Sequence, residues 1–253
     1  MRLTLLGTGN AAQVPVYNCD CIACARSRAL TLYKRGPCSA LLEAGGQRWL
    51  IDSGLMDLAT RFPPHSLAGV MQTHYHADHV QGLLHLRWGQ GLILPVLGPP
   101  DQDGFADLYK HPGILDFSQT LNPFESVQLG GPDGVSVTPV PLAHSKLTYG
   151  YVWSDGAKRY AYLTDTVGLP SETVDYLCRQ PLDLLVLDCS YPPQPSAPRN
   201  HNDLNTALQT LERLTVKKTV LTHVDHSFDA WLMEHEARLP AHVVVGRDGD
   251  IFE

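Results

Sequence analysis

The sequence predicts a mixed α/β fold in which strands outnumber helices. Apolar runs of strand length recur along the whole chain, and several of them are bounded by Gly-Gly or Asp-Gly turn signals. Apolar residues at helical spacing occur in fewer places, between groups of strands. The 253 residues are enough for a sizeable core, and 43% apolar and 18% charged residues are typical of a globular protein.

The first half of the chain predicts four strands and one helix. The apolar runs place strands at Leu3–Leu6, Ser39–Ala44, Arg48–Asp52 and Val70–Thr73. Gly45-Gly46 forms the hairpin turn between the second and third strands. A helix is expected over Gln81–Leu86, after a histidine-rich segment.

The second half predicts more strands, with two helices between them. Strands are expected at Val135–Val140, Tyr149–Ser154, Tyr160–Thr164, Leu182–Leu187, Lys218–Thr222 and His242–Val245. Asp155-Gly156 is a strong hairpin signal. Helices are expected at Ser171–Cys178 and from Leu204 onward, with Asn202 or Asp203 as the N-cap of the latter. The weakly patterned segments 98–125 and 190–203 are the expected substrate-facing loops.

A histidine-rich segment, His74-Tyr-His-Ala-Asp-His79, carries the strongest chemical signal. Imidazole and carboxylate are ligands for zinc, manganese and similar ions. His74 and His76 alternate as strand residues do, so both should point the same way, while Asp78 and His79 come at the following turn. The segment therefore predicts a pair of metal ions able to activate water for hydrolysis. The alternative is a cluster of surface histidines.

The pattern His-x-His-x-Asp-His resembles the signature of the metallo-β-lactamase superfamily. The resemblance runs from Leu3-Thr-Leu-Leu-Gly-Thr-Gly9 to His223 and implies an αββα sandwich of two β-sheets flanked by helices. It implies a single domain over residues 1–253. It also implies three further metal ligands, each after a short apolar run: His144, Asp165 and His223.

The resemblance implies a role for each of these residues. One ion would be held by His74, His76 and His144. The other would be held by Asp78, His79 and His223, with Asp165 bridging the two ions, which would be Mn or Zn. Asp52, in Leu-Ile-Asp-Ser-Gly, matches a family motif and would accept a hydrogen bond from a ligand imidazole. The alternative for Asp52 is a residue that only forms the turn.

A cysteine cluster in the expected loop near residues 19–24 predicts a second kind of metal site. The spacing of Cys19, Cys21 and Cys24 suits a tetrahedral structural zinc, and His226 is the candidate for the fourth ligand. This combination resembles the branch of the superfamily that contains the PhnP-type cyclic phosphodiesterases and PqqB. A redox thiol pair or unrelated free thiols are the alternatives. The other three cysteines are expected in the core: Cys38, Cys178 and Cys189.

The predicted reaction also follows from this resemblance. His201, in a polar loop before a helix, would be the general acid, with an exposed loop histidine as the alternative. The implied enzyme is a metal-dependent phosphodiesterase of phosphonate metabolism. It would open 5-phospho-α-D-ribosyl 1,2-cyclic phosphate to 5-phosphoribosyl 1-phosphate. The alternatives are a PqqB-like carrier protein, a tRNA 3′-processing nuclease and a thioester hydrolase.

Charge and hydropathy restrict the partners. A formal charge of −7 argues against non-specific nucleic-acid binding. With no predicted membrane span or signal peptide, a cytoplasmic protein that acts on a small cyclic phosphodiester is expected. A homodimer is compatible with the sequence but has no specific support. Six cations are candidates for binding the substrate's terminal phosphate: Arg26, Arg28, Lys34, Arg35, Arg87 and Arg199.

Overall fold

The computed structural model describes all 253 residues and contains two seven-stranded sheets. The first sheet has the strand order β14-β1-β2-β3-β4-β5-β6. Its strands are β1 (Arg2–Gly7), β2 (Ser39–Ala44), β3 (Gln47–Ile51), β4 (Gly69–Met71), β5 (Leu94–Leu97), β6 (Leu115–Asp116) and β14 (Ile251–Phe252).

The second sheet has the order β13-β12-β11-β10-β9-β8-β7. Its strands are β7 (Val127–Leu129), β8 (Val135–Pro141), β9 (Tyr149–Ser154), β10 (Arg159–Leu163), β11 (Leu182–Asp188), β12 (Val216–Thr222) and β13 (Val243–Val245). The helices are α1 (Ile22–Ala29), α2 (Leu58–Arg61), α3 (Ala77–Val80), α4 (Leu83–Leu86), α5 (Ala106–Lys110), α6 (Ser171–Leu177), α7 (Leu204–Glu212) and α8 (His226–His235). None of them combines the length and the apolar character needed to cross a bilayer.

Both faces of each sheet are buried, which is why the strands read as nearly continuous apolar runs. Along β2, Ala40 and Leu42 point into the core between the sheets, whereas Leu41 points into the core under α2–α5. A third core lies between the second sheet and α6, α7 and α8, with Leu185 and Phe228 among its buried residues. This layering confirms the predicted αββα sandwich.

Parallel strand pairing brings the predicted site residues to one edge. The strands β3, β4 and β5 run parallel to one another, as do β10, β11 and β12. The carboxyl ends of parallel strands meet at the same edge of a sheet, where ligands commonly bind in α/β proteins. Asp52 directly follows β3, Asp188 ends β11 and His223 directly follows β12.

Three local predictions need correction. The strand before the histidine motif ends at Met71, and Asp78 and His79 lie in the helix α3 rather than in a turn, so the predicted helix begins earlier and is split into α3 and α4. The cysteine cluster is not wholly a loop, since the Cys21 side chain accepts a hydrogen bond from Cys24 N–H and caps α1. Cys178 is exposed rather than in the core. In these segments tertiary contacts outweigh local pattern.

Candidate metal centre

Three histidines from separate segments meet at one point. The Nδ1 atom of His76 lies 2.9 Å from His74 Nε2 and 3.0 Å from His144 Nε2. His74 and His76 follow β4, and His144 lies in the loop between β8 and β9. Asp165 completes this group, with its Oδ2 atom 3.7 Å from both His74 Nε2 and His144 Nε2.

A second group shares the same carboxylate. His79 Nε2 lies 3.4 Å from Asp78 Oδ2 and 3.3 Å from Asp165 Oδ2. His223 Nε2 lies 3.3 Å from the other oxygen of Asp165, Oδ1, and 3.9 Å from Asp78 Oδ2. Asp165 therefore contacts both groups, and its two oxygens face different histidines.

Hydrogen bonds on the outer side of two of these rings determine which nitrogen carries the proton. His144 Nδ1 lies 3.0 Å from the carbonyl oxygen of Asn200, which only accepts. His79 Nδ1 lies 2.8 Å from Asp52 Oδ2, a carboxylate oxygen. In the neutral rings both Nδ1 atoms therefore donate, and both Nε2 atoms present a lone pair to the centre.

The same argument holds for the rings of His74 and His223. Thr73 Oγ1 lies 2.9 Å from Asp52 Oδ2, so its hydrogen goes to Asp52 and its oxygen accepts from His74 Nδ1 at 3.0 Å. Ser190 Oγ donates to the carbonyl of His223 at 2.8 Å and accepts from His223 Nδ1 at 2.9 Å. The Nε2 atoms of His74 and His223 are therefore also acceptors.

The Nε2 lone pairs and the carboxylate oxygens are all acceptors, so in this buried space they need a cation between them. The Nε2 atoms of His79 and His223 are buried without any hydrogen-bond partner, although buried polar atoms are normally paired. Two atoms that each lie about 2 Å from one metal ion are at most about 4 Å apart. The candidate groups meet this condition in all the His–Asp distances given above. The donor set of imidazoles and carboxylates therefore fits a pair of divalent ions.

The pKa shifts of the histidines and of Asp165 also show that the centre favours positive charge. Burial lowers the pKa of His79, but the carboxylates of Asp165 and Asp52 raise it well above its usual value. Burial raises the pKa of Asp165, but the neighbouring histidines hold it well below its usual range. His74, by contrast, is kept neutral because burial and the nearby His79 lower its pKa. The ionised carboxylates thus favour a positive charge at His79, which bound cations would supply instead, while His74 stays neutral.

Asp52 connects the first sheet to the histidine motif. It is fully buried, and its Oδ1 atom accepts from Thr73 N–H at 2.8 Å and from the Gln72 side chain at 2.9 Å. Its φ of +59° is uncommon for a residue other than glycine. A Cβ atom on Gly54 would lie 1.7 Å from the Asp78 carbonyl oxygen, so only glycine allows this loop to pack against α3. This close approach explains the Asp-Ser-Gly sequence.

His201 lies at the edge of the centre. Its ring stacks on that of His223 with centroids 4.5 Å apart, and its centroid lies 5.2 Å from that of His144. Its Nδ1 atom lies 2.9 Å from Asp188 Oδ2. Burial lowers the pKa of His201, but the charge and the hydrogen bond of Asp188 outweigh that effect and raise it to about 9. His201 is therefore protonated at neutral pH.

The cysteine cluster forms a separate group. The Sγ atoms of Cys19, Cys21 and Cys24 lie 3.4, 3.3 and 3.7 Å from His226 Nδ1. None of these cysteines forms a disulfide. Burial raises the pKa of Cys21, but hydrogen bonds from Cys24 N–H and His226 lower it to about 7. Three thiols and one imidazole in contact fit a tetrahedral zinc site.

Several residues that orient the centre escaped the sequence analysis. Thr73, Ser190 and the carbonyl of Asn200 orient the imidazoles of candidate ligands, and Asp188 holds His201. For Asp188 a signal was available, because it ends the apolar run Leu182–Leu187 in the same way as Asp165 and His223 end theirs. For the Asn200 carbonyl no signal exists, since any residue supplies a carbonyl.

Comparison with known proteins gives a family and a set of relatives. A family model described as "Beta-lactamase superfamily domain" matches residues 47–224. The chain is 26% identical over 275 residues to an octanoyltransferase of Porphyromonas gingivalis, covering 98% of this chain and 51% of that protein. The chain thus spans about half the length of this relative.

Solved structures agree on the fold. A diphosphatase of the PhnP family superposes with a TM-score of 0.83 and 27% identity, covering 100% of this chain and 97% of the other. Zinc-bound PqqB from Methylobacterium extorquens superposes with a TM-score of 0.80 and full coverage of both chains. At 19% identity, the likeness to PqqB concerns the fold alone.

Proposed function

This chain belongs to the β-lactamase superfamily, and within that family of metal-binding hydrolases we propose that it is a two-metal cyclic phosphodiesterase. Its proposed substrate is 5-phospho-α-D-ribosyl 1,2-cyclic phosphate, and its product is 5-phosphoribosyl 1-phosphate. The proposed place of the reaction is phosphonate utilisation. The likeness to a PhnP-family diphosphatase at 27% identity over the full chain supports this choice.

One observation carries the proposal. A group able to donate a proton, His201, is held beside a buried cluster of acceptor atoms that fits two cations. A protein that only carries a ligand has no need of a protonated acid next to its metal centre. Phosphodiester hydrolysis needs both parts, because the departing alkoxide must take up a proton.

The proposed metal ligands are the residues of the two groups described above. His74, His76, His144 and Asp165 would hold one ion, and Asp78, His79, His223 and Asp165 the other. Two bound divalent ions would supply an activated water and neutralise charge on the phosphoryl oxygens. The ions are Mn or Zn in this proposal. A structural zinc at Cys19, Cys21, Cys24 and His226 is part of the same proposal.

The remaining chemistry belongs to side chains of this protein. Asp188 accepts the hydrogen bond from His201 Nδ1, so Nε2 is the nitrogen that can give up its proton to a leaving oxygen. Opening the 1,2-cyclic diester at the ribose 2-oxygen leaves the phosphate on the anomeric carbon. His201 would protonate that 2-oxygen as the bond to phosphorus breaks.

The test is ³¹P NMR of the cyclic substrate incubated with the Mn-loaded protein. We expect a single new monoester resonance at the anomeric position. The matched control is Asp57→Asn, because the Asp57 side chain is exposed and pairs only with Arg61. This variant should behave as wild type. Turnover of an aryl phosphodiester without conversion of the cyclic substrate would refute the substrate but retain the hydrolase. Inertness toward both compounds would favour a PqqB-like carrier.

A further inference from the structure

The proposed substrate carries a second phosphate, and three of the six cations that the sequence offered for it are engaged elsewhere. Arg35 is buried and makes a bidentate ion pair with Asp229, at 2.8 and 3.0 Å. Arg87 pairs with Asp107 at 2.7 Å. Arg28 donates to the carbonyl of Cys19 at 2.7 Å. These contacts stabilise the fold and leave the three guanidinium groups unavailable for a phosphate.

Lys146, which the sequence analysis did not name, lies in the same loop as His144. The loop joins β8 to β9 and is closed by a hydrogen bond from Leu142 N–H to the Thr148 carbonyl at 3.0 Å. The Lys146 side chain is 29% exposed, so its ammonium group is reachable from solvent. Lys146 follows the candidate metal ligand His144 by two residues. The loop therefore carries a solvent-reachable positive charge close to the candidate metal centre.

The contacts of the Lys146 ammonium group are loose. Its Nζ atom lies 3.5 Å from Asp101 Oδ2 and 3.4 Å from the carbonyl oxygen of Gly104. Charge-assisted N–H···O bonds are normally about 2.7–2.9 Å long. Nζ can therefore exchange these partners for a stronger acceptor at small cost. Lysine is also a flexible point charge with three donors, which suits a phosphate group.

The loop opposite Lys146 keeps its shape without the ammonium group. Asp101 Oδ1 accepts from Asp103 N–H at 3.1 Å and from Gly104 N–H at 2.9 Å. Tyr109 donates its hydroxyl hydrogen to the Asp101 carbonyl at 2.9 Å. Lys146 reaches this loop only through its two long contacts to Asp101 Oδ2 and the Gly104 carbonyl, so the lysine is not needed to fold the loop. This leaves ligand binding as the role that explains a half-buried cation beside the metal centre.

We propose that Lys146 Nζ binds the non-scissile phosphate of the substrate and so selects phosphorylated cyclic diesters over unphosphorylated ones. This inference rests on the proposed function, since it assigns a residue to the second phosphate of that substrate. Binding would exchange the Asp101 carboxylate for the phosphate at Nζ. Removal of the Asp101 charge should therefore favour the phosphorylated substrate, whereas removal of the Lys146 charge should disfavour it.

The test compares two substrates with the Mn-loaded protein: the 5-phosphorylated ribosyl 1,2-cyclic phosphate and the same compound without the 5-phosphate. For K146Q we expect the ratio of kcat/KM between them to fall by about tenfold to a hundredfold, mainly through KM, as for a lost hydrogen bond to a charged group. K146R should restore part of the ratio. R199Q tests the rival candidate Arg199, an exposed cation two residues before His201, and should leave the ratio unchanged if Lys146 binds the phosphate. K217Q, which changes an exposed lysine near the start of β12, is the matched control.

Each outcome decides the matter. An unchanged ratio in K146Q, or a fall in R199Q alone, would overturn the assignment. If wild type hydrolyses neither cyclic compound, the proposed function fails, and inhibition of aryl phosphodiester turnover by D-ribose 5-phosphate then tests Lys146 separately. A weaker inhibition in K146Q than in wild type and R199Q supports the assignment, and equal inhibition in all three proteins rejects it.

Discussion

The imidazole of His201 stacks on the imidazole of His223, with ring centroids 4.5 Å apart and an angle of 18° between the planes. His223 is a candidate metal ligand and His201 a candidate acid. Because His201 Nδ1 is already bound to Asp188 Oδ2, Nε2 is the ring nitrogen left to donate to a substrate. Stacking and the Asp188 hydrogen bond together orient the proton donor.

Removal of the Asp188 charge should change the pH profile. Asp188→Asn removes the main groups that raise the pKa of His201, while burial still lowers it, so the pKa falls from about 9. A general acid works only below its pKa, and the decline in turnover of a substrate with a poor leaving group should begin about one to three pH units lower than in wild type. The measurement is kcat against pH for wild type and variant. If the kcat of both proteins declined over the same basic pH range, Asp188 would not position the acid.

Loss of His201 should depend on the leaving group. His201→Ala removes the proposed proton donor, and general acids contribute about a hundredfold to ten-thousandfold. We expect a loss of this size for an alkoxide leaving group and a small loss for 4-nitrophenolate, which leaves without a proton. Kinetics on a series of diesters whose leaving groups differ in pKa measure how the loss of turnover depends on the leaving group. Near-normal turnover of the poorest leaving group would show the assignment to be wrong.

Asp52 should affect metal affinity rather than chemistry alone. Asp52→Asn keeps the shape of the side chain but removes the negative charge of the carboxylate, whose Oδ2 atom lies 2.8 Å from His79 Nδ1 in the wild type. Partners of this kind typically change metal affinity by about tenfold to a hundredfold. Competition with a chromophoric chelator gives the dissociation constants. The control is Asp57→Asn, whose carboxylate is 51% exposed; equal affinities in both variants would contradict the expected role.

The cysteine cluster should account for one zinc equivalent. Cys21→Ser removes one of three thiols around His226, and we expect about one zinc fewer per chain with a lower Tm, because a structural zinc contributes to folding. Elemental analysis and calorimetry measure these quantities. Cys178→Ser is the control, since that exposed thiol contacts only the Arg213 carbonyl. A total metal content unchanged by Cys21→Ser would refute the zinc site.

Much of the fold could be predicted from local pattern. The strands β2, β8 and β9 fall within one residue of their predicted bounds, because short apolar runs between turn signals depend on neighbouring residues only. The helix α8 was not predicted, although it carries His226 and Asp229. Its hydrophobic spacing is weak, and it is stabilised by the Asp225 cap and by tertiary contacts such as the Arg35–Asp229 ion pair.

The sequence by itself determined which residues could bind metal, because imidazoles, carboxylates and thiols are recognisable as residue types at short spacing. It also determined that His144, Asp165 and His223 each follow an apolar run that can form a strand. Only the tertiary structure decided which nitrogen of each ring faces the centre, that Asp188 holds His201, and that Lys146 lies beside Asp101. The physical reason is that hydrogen-bond partners and charge act through distance in space, and separation along the chain does not specify that distance.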